Sequence, residues 1–331
     1  MKTALSAQSL DLVRIAPALL LAGEHNALGA VRGQLAREVA AGRLIRLRRG
    51  LYAWRTAWDA LDATERYQAM VLGVARTSGQ LPVLSHASAA ALHGLPVVGR
   101  WPQTVHQLIR PERGGRSTPD RIRHAADFDA ADIVERDGLV LTGLARTLVD
   151  LARSASVFTA VASIDAAMHV PRFGGRAAIT KAELDETFER MLPFRRSARA
   201  RELLDFGDGR AESVSESNSR VTMARLGVPQ PELQHRWVIA GEHYDSDFYW
   251  PHVDAIGESD GRGKYADPRL LGERTPSDVI YAEKLREDAL RREARAFTRW
   301  DYTIGMSTSG LAARLSRIGV VPVNAPRLVR S

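Results

Sequence analysis

The chain has no cysteine among its 331 residues, and aromatic residues make up only 6% of it. Without thiols it can form neither disulfides nor a thiolate zinc site, which fits a reducing compartment. Long apolar runs are also missing, because the stretch from Leu19 to Ala22 is far too short to span a membrane. The N-terminus lacks the apolar core of a signal peptide. We therefore expect a cytoplasmic protein with no membrane partner.

Acidic residues are scarce where basic residues concentrate. The net charge is +7, and the window from Arg32 to Arg55 alone carries +6, from seven arginines against the single acid Glu38. A solvated surface usually mixes both signs, so this concentration favours a polyanionic partner, and nucleic acid comes first.

The same window has the pattern of a small DNA-binding unit. Apolar residues recur at helical spacing up to Gly42, where a helix would stop. Two alternating segments, 44–48 and 51–54, flank a turn at Arg49-Gly50. This order predicts a winged helix, with its helix in the major groove and its hairpin along the phosphate backbone. The predicted DNA-contacting residues are Arg32, Arg37, Arg43, Arg46, Arg48 and Arg49.

Two further regions follow this unit. Residues 59–205 combine helical patterns with short alternating runs between 104 and 142, which predicts a mixed α/β middle domain. Residues 206–331 read as a helix, a three-stranded meander, a long polar helix and a last strand. The prediction is thus an α+β multidomain protein, with a winged-helix domain at 1–58, the middle domain at 59–205 and an α/β domain at 206–331.

Carboxylates cluster on two neighbouring strands of the last domain. Side chains two apart on a strand share a face, so Glu258 and Asp260 project together and Asp247 can reach them from the preceding strand. Glu216 on the first helix and Lys264 in the following loop could join them. Such acids can hold Mg²⁺, which activates water against a phosphodiester. Alternatively, they line a solvated, turn-rich edge.

The histidines show no helical metal spacing. His86 and His93 are seven residues apart, and His243 and His252 are nine apart. We interpret them as surface or packing residues.

Several segments resemble known families. Arg48-Arg49-Gly50-Leu51-Tyr52-Ala53 resembles the winged helix of AbiEi-family antitoxins, and the segments 84–95 and 142–151 are similar to those that follow it in relatives. The C-terminal motifs, among them Glu258-x-Asp260-Gly261, resemble domains related to very-short-patch-repair endonucleases of the PD-(D/E)XK superfamily.

The resemblance implies a nuclease-like C-terminal domain and active-site equivalents at Glu216, Asp247, Glu258 and Asp260, with Lys264 as a further candidate. Asp247 and Glu258 would be the magnesium ligands. Asp260 stands where the superfamily carries lysine.

Three functions follow as hypotheses. The first is an antitoxin-type transcriptional regulator that binds DNA and carries a nuclease-like domain. The second is a magnesium-dependent DNA endonuclease targeted by its winged helix. The third is a scaffold that binds a toxin protein and has no DNA affinity. The oligomeric state is left open.

Overall fold

The structure is a computed structural model that describes residues 12–23, 33–171, 174–260 and 276–328. The predicted site residues Arg32 and Lys264 lie outside the described residues. Helices alternate with three separate β-sheets, which confirms a mixed α/β protein. The winged-helix and nuclease-like assignments stay predictions.

The elements are numbered in chain order. The first are α1 (Leu12–Ile15), β1 (Leu19–Leu21), α2 (Gln34–Ala40), β2 (Leu44–Arg48), β3 (Leu51–Trp54), α3 (Arg55–Asp59), α4 (Ala63–Arg76), β4 (Val83–Leu84), α5 (His86–Leu92), β5 (Val105–Ile109), β6 (Arg121–Ala125), β7 (Ile133–Arg136), β8 (Leu139–Thr142) and α6 (Leu144–Ser154). The rest are α7 (Val157–Met168), α8 (Lys181–Met191), α9 (Ser197–Phe206), α10 (Val214–Leu226), β9 (Glu232–Ile239), β10 (Glu242–Trp250), β11 (Ala255–Asp260), α11 (Pro276–Glu293), β12 (Ala296–Asp301), α12 (Tyr302–Gly305) and α13 (Thr308–Ser316).

The chain divides into two compact units. Among the described residues, the N-terminal unit takes in those up to Ser154 together with Ala182–Phe194, and the C-terminal unit takes in Ala155–Lys181 and those from Arg195 onward. The domain boundaries predicted at residues 58 and 205 stay predictions.

The N-terminal unit contains two sheets over one apolar core. A three-stranded antiparallel sheet has the order β1-β3-β2, and a five-stranded mixed sheet has the order β6-β5-β4-β8-β7. Their shared core includes Ile15, Leu51, Leu72 and Leu141, all buried. Burial of such side chains is the main favourable term in folding.

Strands β2 and β3 form a hairpin that we call the basic hairpin (residues 44–54). Leu44, Leu51 and Ala53 are buried, whereas Arg46 and Arg49 are exposed. Burial alternates along β3, as expected of a half-buried strand, whereas along β2 only Leu44 is buried and the register shifts between Arg46 and Arg48. The predicted turn at Gly50 is confirmed by its φ of 79°, a conformation that glycine adopts without strain.

The C-terminal unit is built on a four-stranded sheet of order β12-β11-β10-β9. Strands β9, β10 and β11 form an antiparallel meander, and β12 joins β11 in parallel after α11. The predicted order of helix, meander, helix and strand is confirmed. Phe248, Trp250 and Trp300 form the centre of the core, and Phe248 stacks on Trp300 at 5.5 Å between ring centroids.

Helix α10 is fixed at both ends by residues suited to those places. The Ser213 side chain caps its start by accepting a hydrogen bond from the Glu216 N–H. Gly227 ends it with a φ of 69°, and a Cβ there would lie 2.2 Å from the Asn324 carbonyl oxygen. Glu216 is thereby held in the first turn of α10, facing the sheet.

In the described ranges, no helix is both long and apolar enough to cross a membrane.

Candidate functional site

The predicted DNA-contacting arginines differ in their partners. Arg43 donates two hydrogen bonds to Glu38, at 2.6 and 2.9 Å, so this acid offsets its charge. Arg48 is half-buried and lies 2.9 Å from Asp120 Oδ2, an ion pair that ties the basic hairpin to the region preceding β6. Arg37 is exposed on α2, close enough to Glu38 to lower the pKa of that carboxyl, although the Arg43 hydrogen bond is the larger cause.

Arg46 and Arg49 are different, because within the described chain neither has an ion-pair partner. Arg46 lies on β2 and Arg49 in the turn, and both are exposed to solvent. These two exposed guanidinium groups therefore lie on one hairpin without an acid partner among the described residues. They can pair with phosphate oxygens without first breaking an internal bond.

The predicted acids do come together in the C-terminal unit, and we call Glu216, Asp247, Glu258 and Asp260 the carboxylate site. Phe248 of β10 faces Gly257 of β11, so Asp247 and Glu258 come next along the two paired strands. Asp247 Oδ2 accepts a hydrogen bond of 2.8 Å from the Ser259 N–H. Glu216, Asp247 and Glu258 are buried, whereas Asp260 at the strand end is partly exposed.

Glu216 has an unusual protonation equilibrium. Its carboxyl accepts hydrogen bonds from the Ser213 hydroxyl at 2.7 Å, the Glu212 N–H at 3.0 Å and the Gln234 amide at 3.0 Å. Burial, and then the negative charge of Asp247, raises the pKa of Glu216 to about 8. Glu216 and Asp247 are therefore close enough to influence each other electrostatically.

A cleft of about 420 Å³ borders this part of the unit. Its lining includes Glu212 and Gln234, the two residues next to Glu216, together with Arg210 and Arg236. Both arginines are paired: Arg210 lies 2.7 Å from Asp208, and Arg236 lies 3.1 Å from Asp245. The cations of this cleft are therefore already offset by neighbouring acids.

Arginines also form ion pairs with the two acids at the end of β11, Glu258 and Asp260. Glu258 Oε2 lies 2.6 Å from Arg286 of α11, and Asp260 Oδ1 lies 2.5 Å from Arg299 of β12. Arg299 also reaches Glu287 at 2.5 Å. The sequence prediction named neither Arg286 nor Arg299 as a site residue. Both follow these acids in the chain, and only the fold shows that they lie next to them.

Magnesium requires hard oxygen ligands in near-octahedral arrangement, and aspartate and glutamate supply such oxygens. Here Asp247 and Glu258 offer the right atoms, but one Asp247 oxygen already accepts a backbone N–H and one Glu258 oxygen already binds a guanidinium. Across the residues that the structure covers, no three His, Asp or Glu side chains are grouped in a way that could hold a metal ion. The donor set as it stands does not fit a divalent ion.

A cluster of histidines in the N-terminal unit was missed by sequence reasoning. The rings of His86 and His124 stack at 3.6 Å, and His124 Nε2 lies 3.0 Å from His106 Nδ1. His86 Nε2 is 3.9 Å from Asp150 Oδ1, and neither of these buried atoms has a hydrogen-bond partner in the described part of the chain. His86 also has a φ of 49°, which is strained for a residue with a side chain. Pairing of β5 with β6 and the start of α5 bring these residues together, so no local spacing indicates them.

Burial dominates the chemistry of this cluster. It lowers the pKa of His106 to about 4. Burial, and then the neighbouring His86 and His106, lowers the pKa of His124 to about 3. The three rings are therefore neutral at pH 7, which relieves repulsion between them.

Comparison with known proteins places the histidine cluster inside a recognised domain. Residues 81–206 match the family model of the AbiEi antitoxin C-terminal domain. Two uncharacterized proteins, from two strains of Mycobacterium tuberculosis, are each 30% identical to this chain over 246 residues, which cover 74% of the chain and 84% of the relative. The predicted resemblance of the middle segments to AbiEi antitoxins is confirmed over the matched residues.

Proposed function

We propose that this chain is a DNA-binding regulator of the antitoxin type. It belongs to the same protein family as the two mycobacterial relatives. Its residues 81–206 match the AbiEi antitoxin C-terminal domain. In this proposal it binds DNA through the basic hairpin and a toxin protein through another surface, and it acts in the cytoplasm. The match to an antitoxin domain supports a toxin protein as the partner, and the distribution of arginine supports DNA as the ligand.

The observation that carries the proposal is the pair of exposed, acid-free arginines, Arg46 and Arg49. A cation that binds phosphate releases a condensed counterion, and this release supplies most of the salt-dependent affinity for DNA. Because the two side chains have no ion-pair partner to lose among the described residues, they gain this term in full.

A binding titration tests the proposal. Fluorescence anisotropy would follow a labelled duplex from upstream of the chain's own gene, with the parent protein and an Arg46→Ala/Arg49→Ala variant. Two lost phosphate contacts should weaken binding roughly 30-fold at 0.15 M salt. Arg317→Ala/Arg327→Ala removes the same charge from exposed positions of the C-terminal unit and serves as the matched control.

Equal affinity of the parent and the hairpin variant would contradict the role of the hairpin. A parent that binds its toxin but no DNA would instead favour the scaffold.

A magnesium-dependent endonuclease is the second candidate, favoured by the mutual influence of Glu216 and Asp247. Its test is plasmid nicking in Mg²⁺ or Mn²⁺ by the parent and by Glu258→Gln. Nicking by the parent alone would support this candidate, whereas intact plasmid with retained DNA binding would support the regulator.

A further inference from the structure

The carboxylate site contains a charge that a fold cannot bury alone. Glu258 lies in β11, between β10 and β12, and is only 1% exposed. An ionised carboxylate removed from water costs several kcal/mol unless a cation or several hydrogen-bond donors accompany it. Something must therefore offset Glu258 in the folded protein.

Arg286 supplies that charge from α11. Its two terminal nitrogens lie 2.6 Å and 3.4 Å from the two Glu258 oxygens, which gives a forked contact. The nitrogen with the longer contact also donates to the Asp245 carbonyl oxygen at 2.8 Å. A guanidinium stays charged at any physiological pH, and a forked pair with carboxylate is among the strongest hydrogen-bonded contacts in proteins.

Asp260, two residues after Glu258, is paired with an arginine in the same way. Arg299 binds Asp260 and Glu287, and Glu287 also binds Arg291 at 2.7 Å. Both acids of Glu258-Ser259-Asp260 are thus met by arginines of α11 and β12, the two elements that follow them in the chain.

We propose that Arg286 is the resident cation of the carboxylate site and takes the role that the sequence assigned to a magnesium ion. A divalent ion at Glu258 would compete with the guanidinium for the carboxylate oxygens. Displacement would break the contacts to Glu258 and Asp245 and leave a half-buried Arg286 next to a second positive charge. Magnesium also gives up its hydration water reluctantly, which disfavours its binding at this site further.

This inference goes beyond the DNA-binding role and does not depend on it. It assigns the C-terminal sheet a metal-free site, in which arginines pair with Glu258 and Asp260 and hold α11 against the sheet.

The test uses the full-length protein in thermal unfolding and calorimetry. The parent is titrated with MgCl₂ and with MnCl₂ up to millimolar concentration, at constant ionic strength, against an EDTA reference. We expect no saturable rise in Tm and no binding heat. A saturable rise in the parent that Glu258→Gln abolishes would overturn the proposal, and this titration requires no variant of Arg286 to fold.

Variants test the cation directly. Arg286→Met in EDTA should lower Tm by roughly 10 °C, because it removes the guanidinium that accompanies the buried Glu258 carboxylate. The double variant Arg286→Met/Glu258→Gln should recover much of that loss, since the buried negative charge is removed as well. Arg292→Met, at an exposed position of the same helix, is the matched control and should leave Tm unchanged. An Arg286→Met protein as stable as the control would overturn the assignment.

Discussion

Arginines of the basic hairpin and arginines of the carboxylate site differ in what surrounds them. Arg46 and Arg49 are exposed and have no acid partner in the described chain, whereas Arg286 and Arg299 lie against Glu258 and Asp260. Arginine side chains are therefore available to an external anion in the N-terminal unit, whereas in the C-terminal unit they form ion pairs within the protein. Burial and pairing, rather than residue type, indicate which arginines are available for DNA.

Loss of stability should separate the two regions most strongly. Arg286→Met is expected to reduce the free energy of unfolding by about 3–5 kcal/mol, because it breaks a pair in which the Glu258 side chain is 2% exposed. Arg46→Met, at an exposed position without an acid partner, should change it by about 0.5 kcal/mol or less. Urea denaturation of both variants in EDTA measures the difference, and equal losses would break the comparison.

Protonation should also distinguish the carboxylate site, since the pKa of Glu216 is about 8. The folded state keeps the proton while the unfolded chain ionises above its ordinary pKa of 4.5, so stability falls as pH rises from about 4.5 to 8. At pH 7 this amounts to roughly 3 kcal/mol, at about 1.4 kcal/mol for each unit of pKa. Glu216→Gln should therefore stabilise the protein progressively more between pH 5 and pH 8.

Thermal unfolding at several pH values measures this effect, with Glu242→Gln at an exposed position as the control. The buried histidines act in the opposite direction, because their depressed pKa values make stability fall as pH drops below about 6.5. Only the difference between the parent and Glu216→Gln isolates the glutamate. A difference that does not change with pH would contradict the protonated state of Glu216.

The smallest expected effect lies within the basic hairpin itself. Arg48 is paired with Asp120 and Arg49 is not, although they are adjacent in the chain. Arg48→Ala should cost about 0.5–1 kcal/mol of stability and leave DNA affinity nearly unchanged. Arg49→Ala should do the reverse. If Arg48→Ala weakened DNA binding as much as Arg49→Ala, the distinction between paired and available arginines would fail.

Much of the local structure was predictable from sequence. The alternating segments around Gly50 predicted the hairpin, and the sequence predicted a helix at the start of the last region, where α10 lies. The order of elements after residue 210 was also correct. These features depend on side-chain periodicity and turn chemistry, which act over a few residues.

What sequence could not show is which distant groups meet. Arg48 and Asp120 are far apart in the chain, as are Glu258 and Arg286, and both pairs depend on how sheets and helices pack. His86 was interpreted as an ordinary histidine because spacing was the only guide, and His106 and His124 did not enter the predictions. A buried polar cluster built from three elements leaves no local signal, so it was missed.

The most direct test of the central claim is the salt dependence of DNA binding. The logarithm of the association constant would be plotted against the logarithm of salt concentration for the parent, Arg46→Ala/Arg49→Ala and Arg286→Met, the last at a temperature where it is folded. We predict a slope shallower by about 1.8 for the hairpin variant, since each phosphate contact contributes about 0.9, and an unchanged slope for Arg286→Met. The parental slope in the hairpin variant, or a shallower one in Arg286→Met, would contradict this account.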